Sequence, residues 1–463
     1  MRAWPEAGGR IQTKLEEIMA DTTKQTGELD HTLRVYSDIT QLIASPENPT
    51  PIVRVNGINP NKDFEIYLKL EKYNPFGSVK DRIVNEMMKG LEIGGRTVAE
   101  PSSGNTGIAL ACIANALGVP IQIAVPEGIP EEKKIFLRFL GVDLMEADDA
   151  LCPIFPTEGA RGMVTSLIDN PASKDTYVSP NQYENELNVQ AHYRTTGPEI
   201  WKQTHGKIKY FFAALGTCGT ISGVGKYLKE QNPDIKIIAV EPDSKDHRLP
   251  GMKRITGLDE DLIPTILDRS VLDDIVTITD DDAYGTAMEI ARKDGIMVGP
   301  TTGAILHVAL NFAKSHSGLA VVISPDDAFK YASFYKDVLD AESKRLKEEA
   351  YAMLEANKDS RNFVLLDVRT PEEFADGNID TAVNLDYSSP TFRDELKNLD
   401  KNKTYLLYCE SGERSGISTH IMKDLGFGDV HNMRGGIIAW RMRGIGETQA
   451  TEENLDKVAG KTD

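Results

Sequence analysis

Cysteine is scarce in this sequence. The 463 residues hold four, Cys112, Cys152, Cys218 and Cys409, far apart and without metal-ligand spacing. That argues against a disulfide framework or a metal centre and makes a reducing cytoplasm the expected compartment. Basic residues are in deficit. Against 71 Asp and Glu there are 52 Lys and Arg, a formal net charge of −19 that would repel nucleic acid and anionic membranes alike. No run approaches the ~18 consecutive apolar residues of a membrane span, and the N-terminal stretch lacks the apolar core and cleavage pattern of a secretory signal. Fixed-period repeats and low-complexity tracts are missing as well. What remains reads as a soluble globular chain, 40% hydrophobic and 27% charged, too long for one ordinary domain.

Residues 1–37 are polar and carry no strong pattern, so they read as an extension. From 38 to 335, β-branched runs alternate with amphipathic helical stretches; examples are Phe64-Glu-Ile-Tyr-Leu-Lys-Leu70, Ile121-Gln-Ile-Ala-Val125 and Leu319-Ala-Val-Val-Ile-Ser324. Strands separated by helices predict an α/β architecture with largely parallel sheets. The charged, helix-forming residues 336–360 read as a helical linker. A second α/β unit follows over 361–446, opening on the strand Phe363-Val-Leu-Leu-Asp-Val368, and 447–463 form a polar tail.

Three segments of the first unit stand at strand–helix junctions. Asn74-Pro-Phe-Gly-Ser-Val-Lys-Asp-Arg82 carries a lysine where a helix begins. Glu100-Pro-Ser-Ser-Gly-Asn-Thr-Gly107 leads from a strand into an apolar helix, and its small residues leave backbone N–H groups free for an anion such as a carboxylate. Leu215-Gly-Thr-Cys-Gly-Thr-Ile-Ser-Gly223 follows another apolar run; free N–H groups, threonine hydroxyls and glycines suit a phosphate. Singly, each could be an ordinary turn, and neither loop has the glycine spacing of a dinucleotide fold or the Gly-Lys-Thr end of a nucleotide-triphosphate loop.

Together and in this order, with Thr50-Pro-Ile-Val-Arg54, Asn181-Gln-Tyr183, Thr195-Thr-Gly-Pro-Glu-Ile200 and Gly299-Pro-Thr-Thr-Gly-Ala304, the chain resembles the cysteine synthase and cystathionine β-synthase family of fold-type II pyridoxal-phosphate enzymes over 38–335. The resemblance implies two α/β subdomains with pyridoxal 5'-phosphate between them, and a homodimer. It implies that Lys80 holds the cofactor as a Schiff base and then removes the substrate α-proton. Ser102, Ser103, Gly104, Asn105, Thr106 and Gln182 would bind the substrate carboxylate, with Asn105 also at the cofactor 3'-oxygen. Gly216, Thr217, Cys218, Gly219 and Thr220 would cradle its phosphate, and Thr301 would meet the pyridine nitrogen. A hydroxyl there makes the ring a weaker electron sink than a carboxylate would, which suits β-elimination. Two positions depart from the family pattern: Cys218 replaces a usual glycine and Thr301 a usual serine. The basic stretch His247-Arg-Leu-Pro-Gly-Met-Lys-Arg-Ile255 falls where the family has a loop near the active-site mouth, and Arg254 is the candidate contact for an anionic leaving group such as the phosphate of O-phosphoserine.

In the second unit, Cys409 follows the apolar strand Leu406-Leu-Tyr408 and opens Cys-Glu-Ser-Gly-Glu-Arg-Ser415 just before a helix. A helix N-terminus favours thiolate, and Arg414 would add to the effect. With Asp367-Val-Arg369, Glu372-Glu-Phe374, Gly377-Asn-Ile379, Ala382-Val-Asn384 and Gly435-Gly-Ile-Ile-Ala-Trp440, this region resembles a small α/β rhodanese-like domain over 361–446. The resemblance implies a persulfide on Cys409, wrapped by the backbone of Glu410, Ser411, Gly412, Glu413, Arg414 and Ser415. Asn378 replaces the usual histidine at a structural position. Two carboxylates, Glu410 and Glu413, would repel thiosulfate if they face the pocket, so a persulfide or protein donor is expected.

The combined expectation is a transferase making L-cysteine from an O-activated serine and a sulfur donor, with Cys409 carrying sulfane sulfur. Other readings are cystathionine β-synthase, cysteine desulfhydrase working in the reverse sense, and a sulfur relay whose synthase half is silent.

Overall fold

A computed structural model describes residues 35–102, 104–148 and 157–443. They fall into two compact units that divide after Tyr335.

The first unit is built on two sheets. The larger has strand order β1 (Ile52–Arg54), β2 (Phe64–Leu70), β10 (Gly318–Ser324), β7 (Ile208–Ala214), β8 (Lys236–Pro242), β9 (Asp274–Ile278). Only the β1–β2 pair is antiparallel; the other four pairs are parallel. The smaller sheet is all parallel, in the order β5 (Asp143–Ala147), β4 (Ile121–Pro126), β3 (Thr97–Pro101), β6 (Tyr177–Val178). Parallel strands need helical crossovers, which cover both faces, so the central strands are apolar almost throughout. Ile237, Ile238, Ala239 and Val240 of β8 are all buried, as are Ala320, Val321, Val322 and Ile323 of β10. Each sheet has its own core. Helix Asn105–Leu117 packs Ile108, Leu110 and Ile113 with Ile121 and Ile123, while helix Gly219–Gln231 packs Ile221, Val224 and Leu228 with Phe211 and Ile237.

One polar cluster is sealed inside this unit. Arg82, two residues past Lys80 in helix Lys80–Lys89, bonds Glu71 through Nε (2.6 Å) and Nη2 (2.9 Å). It also bonds Glu199 through Nη1 (2.5 Å) and Nη2 (2.8 Å), and Lys69 Nζ meets Glu199 at 2.5 Å. The cluster anchors the start of the lysine-bearing helix to β2 and to helix Gly197–Gln203.

The second unit has one parallel sheet, β12 (Val383–Asn384), β11 (Phe363–Asp367), β13 (Thr404–Tyr408), β14 (Asp429–Asn432), in that order. Alternation along β13 sends Leu406 and Tyr408 to one core with Phe374, Met433 and Trp440. Tyr405, Leu407 and, just past the strand, Cys409 go to the other, with Phe392, Leu396 and Met422. Helix Ala332–Asn357 spans most of the stretch read from sequence as a linker. Its last turns are core: Ala350, Tyr351 and Leu354 are buried, and the Tyr351 ring stands edge-on to Trp440 at 5.5 Å. Mixed charge hid this apolar stripe. Among the described residues, no helix is long and apolar enough to cross a membrane.

Candidate active site

Strand ends assemble the first site. The segments carrying Lys80, Asn105, the 216–220 loop and Asp326 follow β2, β3, β7 and β10, each at the C-terminal end of a parallel strand, where open α/β sheets leave a crevice. One cavity is lined by Lys80, Asn105, Gly216, Thr217, Cys218, Thr220 and Thr301, so residues far apart in sequence come together there. Thr106 and Gln182 line an adjoining chamber over Lys80.

Lys80 opens its helix, and its Nζ lies 3.4 Å from Thr217 Oγ1. The 216–220 loop is held from behind by Asn188, whose Nδ2 donates to Thr217 Oγ1 (3.2 Å) and to the Gln182 carbonyl (2.8 Å). A Cβ on Gly219 would sit 1.9 Å from Asn188 Oδ1, so only glycine fits. Thr220 Oγ1 meets His192 Nε2 at 3.1 Å; burial, and then the charge of Arg82, push that imidazole down to about 3, which keeps it neutral. Cys218 takes φ +72, a conformation ordinarily left to glycine, and its side chain packs with Leu215, Ile221 and Val224. Thr301 is buried, with Oγ1 3.3 Å from the Pro250 carbonyl.

The substrate-side residues divide. Thr106 Oγ1 donates to Gln182 Oε1 (2.7 Å), and Gln182 Nε2 donates to the Pro101 carbonyl (2.9 Å). Ser102 is turned elsewhere: its Oγ accepts the N–H groups of Gly104 (3.0 Å) and Gly107 (2.8 Å), satisfying part of the open end of the helix. Gly104 makes room for Lys133, whose Cδ would be 2.2 Å from a Cβ there. Ser103 lies outside the described residues. Arg254, the sequence-based choice for an anion contact, is half-buried and lines neither cavity. Its neighbour Lys253 is buried in the chamber wall, with Nζ 4.5 Å from the Tyr183 ring centre. The Lys253 N–H donates to the Leu215 carbonyl (2.7 Å).

Sequence reading missed a buried relay beside Lys80. Lys133 Nζ donates to Tyr331 Oη (3.0 Å), Tyr331 donates to Asp326 Oδ2, and Asn105 Nδ2 donates to the same oxygen (2.6 Å). Burial, only partly opposed by the Asp326 charge, pushes the Lys133 ammonium down to about 8. Asn105 Oδ1 and Asp326 Oδ1, on residues that line the cavity, are buried acceptors without a protein partner among the described residues, as expected of a pocket shaped for a polar ligand. The available signal was position: Asp326 follows the apolar strand β10 by two residues.

Cys409 is buried at the end of β13, where the Gly412 N–H (3.1 Å) and Ser415 Oγ (3.5 Å) reach its Sγ. Burial alone would push the thiol up. The Ser415 hydroxyl and the N–H groups of Ser415, Gly412 and Ser411 outweigh it and hold the thiol below its ordinary value. Gly412 has φ +97, and a Cβ there would meet Gly435 N at 2.8 Å. Arg414 forks onto Glu373 (2.7 and 2.6 Å), so its charge is largely compensated. Glu410 lies 3.6 Å from Arg369 and 3.9 Å from Arg441, which leaves Glu413 as the less compensated loop carboxylate. Asn378 is buried, donating to the Phe374 carbonyl (3.1 Å), in keeping with a packing position.

Comparison with known proteins agrees with this layout. A model of the pyridoxal-phosphate dependent enzyme family matches residues 43–326, and one of the rhodanese-like domain matches 346–443. The chain is 40% identical over 295 residues to a cysteine synthase of Aquifex aeolicus, covering 61% of this chain and 88% of that one. It is 38% identical over 326 residues to a cystathionine beta-synthase of Apis mellifera, covering 65% and 63%. Among solved structures it is similar to a hydrogen sulfide-producing enzyme from Fusobacterium nucleatum, with a TM-score of 0.58 and 34% identity over 64% of this chain and all of that one.

Proposed function

This chain belongs to the pyridoxal-phosphate dependent enzymes, in their cysteine synthase-like branch and with a rhodanese-like domain, and on that premise we propose that it makes L-cysteine by β-replacement on an O-activated serine. The observation that carries the reading is Lys80 at its helix start, 3.4 Å from the phosphate-type loop and in one cavity with Asn105 and Thr301. The residues present fit the cofactor. Lys80 would bind it covalently, the 216–220 loop would take its phosphate, Asn105 its 3'-oxygen and Thr301 its ring nitrogen. When bound, pyridoxal phosphate supplies an electron sink for the substrate α-carbon.

The protein's own groups would do the rest. Backbone N–H groups at the start of helix Asn105–Leu117, with Thr106 and Gln182, orient the substrate carboxylate. Lys80 takes the α-proton, the β C–O bond breaks, and a sulfur nucleophile forms the new C–S bond. Cys409 carries sulfur as a persulfide, and two equivalents of a thiol reductant release it as sulfide for this step, leaving the Cys409 thiol and a disulfide. The test is the cofactor's absorbance when the purified protein meets O-acetylserine, O-phosphoserine, serine or cysteine. A red shift reversed by sulfide supports the reading and identifies the leaving group; no shift with any of the four, cofactor being bound, overturns it.

The chamber over Lys80 favours an anionic leaving group. Lys133 and Lys253 line it, and among the described residues none of its lining is acidic. Lys253→Met should lower kcat/KM for O-phosphoserine at least about tenfold and for O-acetylserine less than about twofold, since a charge-assisted contact is lost only with the former. Equal losses with both substrates would refute an anion contact at Lys253.

The reverse sense, elimination of sulfide from cysteine, has one supporting observation, the likeness to a hydrogen sulfide-producing enzyme. For the rhodanese-like domain we expect faster turnover with glutathione persulfide than with thiosulfate, because Glu413 opposes a small dianion. Cys409→Ser should abolish both and leave sulfide-supported cysteine synthesis unchanged. Faster turnover with thiosulfate would contradict the assignment of a persulfide donor.

A further inference from the structure

Glu100 is fully buried one residue before the end of β3, beneath the substrate-side loops, and no step proposed above uses it. Its carboxylate meets donors alone. Oε2 accepts from Ser179 Oγ (2.8 Å) and the Asn181 N–H (3.0 Å), and Oε1 accepts from the Gln182 N–H (3.0 Å). These bonds run from the strand that opens into residues 102–106 to the loop that carries Gln182. Gln182 then reaches back, accepting from Thr106 Oγ1 and donating to the Pro101 carbonyl. Asn181 holds φ +49 inside this loop, a left-handed conformation that asparagine tolerates better than most other non-glycine residues.

We propose that Glu100 is a positioning residue for the amino-acid substrate: as an anion it clamps residues 179–182 so that Gln182 faces the substrate carboxylate, and on protonation it lets that loop go. The inference rests on the reading of Gln182 as part of the carboxylate site. An ionised carboxylate accepts from all three donors, whereas an amide turns its NH2 toward at least one backbone N–H, and a protonated carboxyl keeps its bonds only by reversing the Ser179 hydroxyl from donor to acceptor. The charged side chain facing Glu100 from the packed helix Gly159–Asp169 is Arg161, which is itself 3.6 Å from Glu184. From the loop side the facing groups are the Ser179 hydroxyl and the two backbone amides. Burial outweighs these hydrogen bonds and pushes the Glu100 carboxyl up to about 7, so its protonation falls within a workable pH range. A raised folded value means the anion, and with it the clamp, is present above about 7 and lost below.

The experiment compares KM for the amino-acid substrate, at saturating sulfide, in the cofactor-loaded wild type, Glu100→Gln, Ser179→Ala and Gln182→Ala between about pH 6 and 9. In the wild type KM rises as pH falls through about 7. Glu100→Gln raises KM about tenfold at high pH, changes kcat less than about threefold, and flattens the pH dependence. Ser179→Ala raises KM about threefold and keeps the dependence. If Gln182→Ala raises KM while Glu100→Gln leaves it within about twofold of wild type, the clamp is overturned. If neither raises KM, the carboxylate reading of Gln182 fails and the clamp falls with it. Should Glu100→Gln not fold, unchanged KM in Ser179→Ala together with a flat wild-type profile overturns the proposal.

Discussion

Lys80→Ala should lower amino-acid turnover at least about a thousandfold, or about 4 kcal/mol of transition-state stabilisation, because one amine is assigned both the attachment of the cofactor and the removal of the α-proton. The geometry makes this loss hard to replace. Lys133 and Lys253 share the chamber, but Lys133 is tied to Tyr331 Oη at 3.0 Å and Lys253 lies against the Tyr183 ring. Single-turnover rates with cofactor absorbance recorded in parallel check the expectation. Partial rescue by a small added amine would locate the defect at the missing amino group. A fall of less than about tenfold would move the catalytic base to another residue. Sulfur transfer at Cys409 provides the internal control, since its activity should survive the substitution.

Arg82→Leu should destabilise the first unit by about 3–5 kcal/mol, because it strands Glu71 and Glu199 in the interior with Lys69 as their remaining cation. Calorimetry on the purified protein should show the transition of this unit falling by roughly 10 °C. The pH dependence gives a sharper signature. Burial alone would raise the Glu71 carboxyl, yet the charge and hydrogen bonds of Arg82 hold it down at about 2, below its ordinary value of 4.5. A depressed folded value contributes stability that is fully present above about 4.5 and lost as pH falls through about 2. Without Arg82 the sign reverses, since a buried carboxylate lacking its partner is relieved by protonation. The deficit of Arg82→Leu against wild type should therefore shrink as pH drops from neutral toward 4. A deficit that stays constant over that range would show that the cluster's charges are compensated by some other route.

The features legible in the sequence share a physical cause. Lys80, the 216–220 loop, Asn105 and Cys409 stand at strand–helix junctions, where backbone demands are local and restrict which residues can occupy them. The junctions of the first unit cluster because the parallel strands of each sheet deliver their ends to one side. The unbroken apolar run Tyr405-Leu-Leu-Tyr408 likewise reads as a strand, and the fold buries both its faces. The α/β class was readable on those grounds, and the cofactor and the two families from the resemblance that these segments carry together.

Contacts between remote segments were not. Asn105 and Asp326 are 221 residues apart, and Lys133 and Tyr331 are 198 apart; nothing in either local sequence announces a partner at that distance. That Lys253 and not Arg254 lines the chamber was decided by how the folded loop packs. Ser102 had the composition of a ligand contact, but the open helix end beside it took its hydroxyl. Local chemistry along the chain thus determined which backbone segments could form a site. Tertiary packing decided which side chains enter it, because the direction of a side chain depends on neighbours that only the folded sheets bring within reach.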